Sequence, residues 1–338
     1  MKLGTTSTHT ALLLTTLSLL SAGCTIRQPS DDDVSEYREA LPKADHVRVA
    51  GPETQGTEKA QTAYGAADAG LLADAREPEV DVAQWYSFTR NVRDGVNVVT
   101  GVILGSLWLV VHTRPSEVGS DYAVWGPYTD ALDPVARRLR VERVAEDEYE
   151  YRLEGRPKSS DSEDDYRTIL FGKGYGRPHD EHGDGFFTID LDVARALDPG
   201  RHAKDSGTIT ITHDLTRSPD RRLRALPRTI VAEIDPKGES FLTIHSTAAE
   251  DGSGEIEIDA RADTDASGTT ALEDLAMHGR YRADGAGRAD VTVANGDVPA
   301  GIGAVTLTEC WGTDFTRVYY SDSIELHPTE GDATACAF

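Results

Sequence analysis

The densest group of possible metal ligands lies between Gly176 and Gly185, where two histidines stand three residues apart. His179 and His182, with the acids around them, present imidazole and carboxylate groups, the donors that zinc and other transition metals accept. The segment is rich in glycine and proline rather than helical, so nothing in the sequence fixes the two rings relative to one another. A solvated polar loop is the favoured interpretation, and a transition-metal site is the alternative.

A second group of oxygen donors has the spacing of an EF-hand calcium loop. Asp263, Asp265 and Ser267 occupy its first, third and fifth positions, a glycine follows at the sixth, and Asp274 occupies the twelfth. Aspartate at the twelfth position is too short to replace the usual bidentate glutamate, and the preceding segment has the pattern of a strand rather than a helix. The sequence favours a hairpin loop here over a calcium site.

No arrangement of residues for covalent catalysis stands out in the chain. There is no Gly-x-Ser-x-Gly motif, and the glycine-rich segment Gly285–Arg288 lies between two predicted strands rather than before a helix, as a phosphate cradle would require. We therefore expect a protein that is not an enzyme and holds no cofactor.

The first 24 residues combine one lysine, a short apolar run and small residues before Cys24, a pattern typical of an export signal. Residues 20–24 resemble the lipobox of bacterial lipoproteins, with Ser21 where that family usually has leucine. The resemblance implies removal of residues 1–23, acylation of Cys24 by palmitate-type chains, and a lipid anchor in the bacterial cell envelope, with the outer membrane favoured. An uncleaved anchor and a plain secretory signal are the alternatives.

Two further cysteines, Cys310 and Cys336, remain once Cys24 is lipidated. An even pair in an exported protein predicts a disulfide. Two buried free thiols and a metal-binding pair are the alternatives, the second disfavoured because the cysteines do not form a closely spaced motif.

The formal net charge of the whole chain is −24, and removal of residues 1–23, which hold one lysine and no acid, makes it −25. Such a charge argues against nucleic acid as a partner, since phosphates would be repelled. It also argues against electrostatic adhesion to anionic lipids. Binding to a membrane would therefore depend on the acyl chains on Cys24.

Residues 24–80 contain few large apolar side chains, so we expect a disordered tether. From 85 to 110, apolar residues recur at spacings of three and four and predict a helix over 82–112. The stripe consists of Trp85, Phe88, Val92, Val96, Val99, Ile103, Leu107 and Val110. Because residues 95–111 carry no charge, a membrane span is the alternative to a helix buried under the domain core.

The pattern after Tyr122 changes to a period of two, as in Glu148–Glu154, Thr208–Thr212 and Glu255–Asp259. Short turn segments separate about ten such strands and leave no room for crossover helices, so the sheet should be antiparallel. We therefore predict a mainly β domain over 81–338: a large curved antiparallel sheet or barrel packed on one long N-terminal helix.

Six large apolar residues on the predicted helix and in the aromatic segment after it could line the concave side of this sheet. They are Trp85, Phe88, Ile103, Leu107, Trp108 and Trp125. An open concavity would make the protein a binding or carrier module for a lipid or another hydrophobic small molecule. The alternative is a structural or interaction lipoprotein with a filled core, no ligand and an envelope protein as its partner.

Four pieces of the chain together are similar to a group of predicted lipoproteins of Gram-negative bacteria with no known activity. These pieces are the lipobox, Ala123–Pro127, Gly285–Asp290, and Glu309–Trp311 with Cys336–Phe338. The resemblance implies that the two C-terminal cysteines belong together. The predicted fold also looks like that of the envelope carriers of lipids and lipoproteins, an analogy that does not fix function.

Overall fold

A computed structural model describes residues 31–52, 82–176, 183–203, 205–215, 228–235, 239–263 and 270–336. Within these ranges the protein is mainly β, as predicted, with fifteen strands in one antiparallel sheet whose spatial order equals the chain order. The strands are β1 Glu117–Val118, β2 Tyr122–Tyr128, β3 Val135–Ala145, β4 Glu148–Pro157, β5 Arg167–Tyr175, β6 Asp184–Asp190, β7 Thr208–Asp214, β8 Arg228–Ile234, β9 Phe241–Ala248, β10 Gly254–Ala262, β11 Glu273–Tyr281, β12 Gly287–Asn295, β13 Ala304–Trp311, β14 Arg317–Asp322 and β15 Glu330–Gly331.

The sheet is open, so the barrel alternative is wrong. In the part of the chain that the structure describes, β1 pairs only with β2, and β15 pairs only with β14. Both edge strands are two residues long, too short to supply the ladder that closure would need.

Alternating side chains give the sheet one buried face. The pattern is clearest in β7 and β10, where every second residue is buried and the residues between face solvent. The largest fully buried side chains are Trp125, Tyr37, Tyr151, Phe187, Leu139, Leu170, Ile211, Ile230, Ile244, Ile256, Ile258 and His213. They come from β2 through β10 and from the first helix, so one core extends across the sheet.

Three α-helices occur in the described ranges: α1 Asp31–Glu39, α2 Gln84–Val111 and α3 Leu191–Leu197. The long helix α2 is therefore not the N-terminal element, and it is shorter than the predicted 82–112. It begins later because Val82 forms a β-bridge with Thr316 and the amide of Ala83 donates to the carbonyl of Phe315 at 2.9 Å.

The buried stripe of α2 is rotated from the predicted one. Its buried residues are Tyr86, Thr89, Val92, Arg93, Val96, Thr100, Leu104, Leu107 and Val111. Arg93, which the apolar pattern leaves off the stripe, is buried because its guanidinium donates to the carbonyl of Pro52 at 3.1 Å and to Asp94 Oδ1 at 2.7 and 2.9 Å. A polar side chain can occupy a core position when its hydrogen bonds are made there.

Residues 31–52 lie in the segment for which the sequence predicts a disordered tether, and the structure differs there. They form α1 and a 3₁₀ turn at Ala44–Val47, and Tyr37, Leu41, Val47 and Val49 belong to the main core. These few apolar residues are buried between the sheet and α2, which a count of hydrophobic residues along the chain cannot reveal.

The predicted disulfide is present between Cys310 at the end of β13 and Cys336 near the C-terminus, with their Cα atoms 5.6 Å apart. Both cysteines are buried. The bond holds residues 323–336 against the sheet, where after β14 only the two-residue strand β15 pairs with it.

Loss of this bond is expected to lower the free energy of unfolding by about 3 kcal/mol, because a cross-link spanning 26 residues restricts the unfolded chain. Urea unfolding of Cys336→Ala and of the wild type, each with and without reductant, measures the loss. The reductant should destabilise only the wild type. An unchanged wild-type midpoint, with thiol titration proving the bond reduced, would contradict the expectation.

Candidate functional site

Of the six residues of the two predicted metal sites, the structure describes two. His179, His182, Asp265 and Ser267 lie outside the described residues. Asp263 is exposed, and Asp274 lies in β11, where it accepts from the Asn295 amide and stands 3.6 Å from the Arg261 guanidinium. Among the described residues, no three His, Cys, Asp or Glu side chains are grouped so that they could hold a metal ion.

The six predicted ligand-binding residues differ in their exposure. Leu107 and Trp125 are buried in the core, and three others, Trp85, Phe88 and Ile103, are partly buried against it. Trp108 is 45% exposed and stacks on His112 with 3.9 Å between ring centroids. The structure therefore separates the six residues into core and surface.

Two concavities of the described surface are polar. The larger, of about 810 Å³, is an open groove on the outer face of β10–β14, lined by residues that include Asp259, His278, Asp290 and Thr308. The other, of about 420 Å³, lies beside α1 and is lined by residues that include Glu36 and Arg143. Neither offers the apolar walls that a hydrophobic ligand needs.

The buried carboxylate of Glu309, on β13, caps the N-terminus of α2. It accepts from the backbone amides of Gln84 at 3.1 Å and Trp85 at 2.5 Å, and from Arg317 Nε at 2.6 Å. The residue at the N-cap position itself, Ala83, makes no side-chain cap. A negative charge here satisfies two free amides and complements the helix dipole. The sequence signals no such cap, because Glu309 is more than 200 residues away along the chain.

Two polar side chains hold the N-terminal segment between α2 and the sheet. The amide of Asn97, on α2, accepts from Val49 N at 2.8 Å and donates to Val49 O at 3.0 Å. On the other side, the Ser246 hydroxyl of β9 accepts from Ala50 N at 3.2 Å and donates to Ala50 O at 3.1 Å. The backbone at 49–50 is thus paired by side chains where no neighbouring strand pairs it.

His213 is fully buried on β7, and neither ring nitrogen has a hydrogen-bond partner among the described residues. It lies opposite Gly185 of β6, where a Cβ atom would stand 3.0 Å from the His213 ring and 2.3 Å from the carbonyl oxygen of Lys173. Burial lowers the pKa of His213 to about 4, and the charge of Asp214 opposes this shift. The ring is therefore neutral and packs as an apolar group.

Protonation of His213 is expected to cost stability. The pKa of His213 is lower in the folded chain than the ordinary 6.5, so the unfolded state binds more protons below pH 6.5. As the pH falls from about 6.5 to about 4, the free energy of unfolding should drop by about 3 kcal/mol through this group.

Urea unfolding at a series of pH values measures this effect as the difference between the wild type and His213→Phe. The matched control is His245→Gln, a half-exposed histidine on β9. His245→Gln should keep the part of the pH dependence that comes from His213, whereas His213→Phe should lose it. Equal pH dependence in His213→Phe and the wild type would refute the assignment.

The outer face of α2 is the surface best suited to bind another molecule. In its N-terminal half this face carries polar residues such as Gln84 and Asn91, and in its C-terminal half it carries Val98, Val102 and Leu109, which are exposed. By length and composition α2 could cross a membrane, and 28% of its most apolar window is buried. A large exposed apolar patch on a folded domain indicates an interaction site.

Nothing in the described residues or in the comparisons indicates catalysis. Comparison with protein-family models, with curated proteins and with solved structures finds no match to this chain.

Proposed function

We propose that this protein is a lipid-anchored protein of the bacterial cell envelope with a non-catalytic structural or interaction role. Its contact surface is the outer face of α2, from Val98 to Leu109. The observation that carries the proposal is the filled interior: α2 and residues 47–50 occupy the buried face of the sheet, with Asn97 and Ser246 bonded to the backbone between them.

The arrangement also supports a curved sheet. A flat sheet of the twelve strands β2–β13 would be about 53 Å wide, at roughly 4.8 Å per strand. One α-helix is only about 10 Å across. Yet the buried residues of β2 and β13 belong to one cluster with those of α2. A sheet that curls around α2 explains this, and it leaves the concave side occupied by the protein's own chain.

The lipid anchor rests on the resemblance of residues 20–24 to a lipobox and on the absence of charge from residues 3–23. It also agrees with the buried disulfide, a bond that persists in exported proteins. The outer membrane is the favoured location. Intact mass analysis of the N-terminal peptide tests the anchor, and Cys24→Ser should move the protein from the membrane to the soluble fraction.

Native mass spectrometry of the full chain, gently extracted from its own membranes, tests the filled core against the carrier hypothesis. We expect the mass of the lipidated chain alone, and no rise in melting temperature when fatty acid or phospholipid is added. An apolar molecule that co-purifies, survives in Leu109→Ser at the surface and is lost in Leu107→Met in the core would overturn the filled core and establish a carrier.

A further inference from the structure

We propose that the C-terminal half of α2 lies in the interface of the same lipid bilayer that holds the anchor, with Val98, Val102 and Leu109 among the acyl chains. The inference rests on the proposed function and names the partner of its contact surface. The partner is the apolar edge of a largely zwitterionic lipid leaflet.

The apolar surface of α2 is a stripe along one side of the helix. Val98, Val102 and Leu109 recur at spacings of four and seven, which places them on one side of the helix over about 17 Å. The opposite side is anchored in the core by Val96, Leu104 and Leu107. Such a helix lies along a membrane surface rather than across it, because crossing would remove its buried side from the protein.

Two exposed aromatic residues lie near the C-terminal end of α2. Trp108 is 45% exposed, and Tyr128, at the end of β2, is 40% exposed and shares a 2.8 Å hydrogen bond with Thr113. The indole of Trp125 ties the same turn to the sheet by donating to the Thr113 carbonyl at 3.1 Å. Tryptophan and tyrosine with one apolar and one hydrated end are typical of the membrane interface.

A short length of chain separates the proposed anchor on Cys24 from α1. Cys24 precedes Asp31, the first residue of α1, by seven residues, which span at most about 25 Å. The C-terminal end of α1 meets the C-terminal end of α2, since Arg38 Nε donates to the Val111 carbonyl at 2.7 Å. An anchor on Cys24 therefore keeps the apolar half of α2 close to the membrane.

A second copy of the chain is the competing occupant. Gly101 and Gly105 lie at this part of α2, and a Cβ atom added at either would meet no other atom within 4 Å, so a partner helix could approach closely. Two copies of the cleaved chain would each bring a net charge of −25, and their repulsion favours the uncharged acyl region of the bilayer.

The test uses the full chain, extracted from its host membranes and reconstituted into vesicles of zwitterionic phosphatidylcholine with brominated acyl chains. Trp108 is the exposed tryptophan of the described chain, so bromine should quench its fluorescence. Trp108→Phe should remove that quenching. Val102→Glu with Leu109→Glu should reduce it at least about fivefold, because each change puts a charge where an apolar side chain enters the lipid.

The matched control is Leu326→Glu, which alters a leucine of similar exposure (62% against 65% for Leu109) after β14. It should quench like the wild type, and all variants should melt like the wild type because the altered residues are exposed. A chain that floats with the vesicles without quenching overturns the docking and leaves the anchor intact. Dimers cross-linked through Val102→Cys, with no quenching, assign the surface to a second copy.

Cys24→Ala separates the two proposals. If this variant still binds vesicles and is quenched, the docking is supported, and the expectation that loss of the anchor releases the protein is overturned. If the unaltered chain binds no vesicles at all, both the anchor and the docking are overturned.

Discussion

A chain that begins at Asp81, where the sequence alone would place the start of the domain, is expected to be less stable than one that begins at Thr25 by about 5 kcal/mol. The truncation removes Tyr37, Leu41, Val47 and Val49 from the core. Each such side chain contributes about 1.5–3 kcal/mol when buried, and the entropy of ordering the segment offsets part of the sum.

Part of the loss comes from the partners of the removed segment, which lose their hydrogen bonds. Without residues 49–50, the Asn97 amide and the Ser246 hydroxyl lose the backbone groups to which they are hydrogen-bonded. Buried polar groups left without partners cost about 1–3 kcal/mol each. Urea unfolding of the two chains, with binding of an apolar dye to report exposed core, measures the effect.

A point variant tests the hydrogen bonds of this segment without shortening the chain. Asn97→Ala should cost about 2–3 kcal/mol, since the Val49 amide and carbonyl both lose their partner. It should also speed amide exchange at residues 44–52 before global unfolding. Asn91→Ala, on the exposed face of the same helix, should cost less than about 0.5 kcal/mol. If the chain that begins at Asp81 were as stable as the chain that begins at Thr25, residues 31–52 would dock too weakly to contribute to stability.

The strands and the long helix were predictable because they are periodic over many residues. The alternation in β4, β7 and β10 has a period of two, and the bounds of the predicted and observed strands differ by a few residues. A strict alternation places one set of side chains on one face whatever the rest of the chain does. Antiparallel pairing followed from the short connections, and the structure confirms it.

The interior contacts of the helix and of the N-terminal segment were not predictable in this way. Arg93 and Glu309 are charged, and the apolar pattern assigns charged residues to the surface. Both are buried because of partners distant in the chain, Pro52 for Arg93 and the start of α2 for Glu309. The sheet is open because its two edge strands are short. Each has two residues, too few to show the alternation that predicts a strand.

This dependence on distant partners has a measurable consequence at Glu309. Glu309→Gln keeps the shape of the side chain and one oxygen, but it replaces the other oxygen with an NH₂ group facing backbone amides. It also removes the charge opposite Arg317 Nε. We expect the free energy of unfolding to fall by about 3 kcal/mol. This value is at the lower end of the range for a broken buried ion pair, because Arg317 is partly exposed and can reach water.

The second carboxylate partner of Arg317 provides the matched control. Glu330, on β15, lies 3.4 Å from Arg317 Nη1 and is 53% exposed, so Glu330→Gln should cost less than about 0.5 kcal/mol. Only Glu309→Gln should speed amide exchange at Gln84 and Trp85, because only Glu309 accepts from those amides.

The double variant Glu309→Gln with Arg317→Leu distinguishes the two functions of Glu309. If its main function is to balance Arg317, the double variant should regain most of the lost stability, since neither charge is then left unpaired. If its main function is to hold the start of α2, the double variant should stay as unstable as Glu309→Gln, with fast exchange at Gln84. We expect the second result, because two of the three bonds to this buried carboxylate come from the helix. Full recovery would show that the helix needs no cap from the sheet.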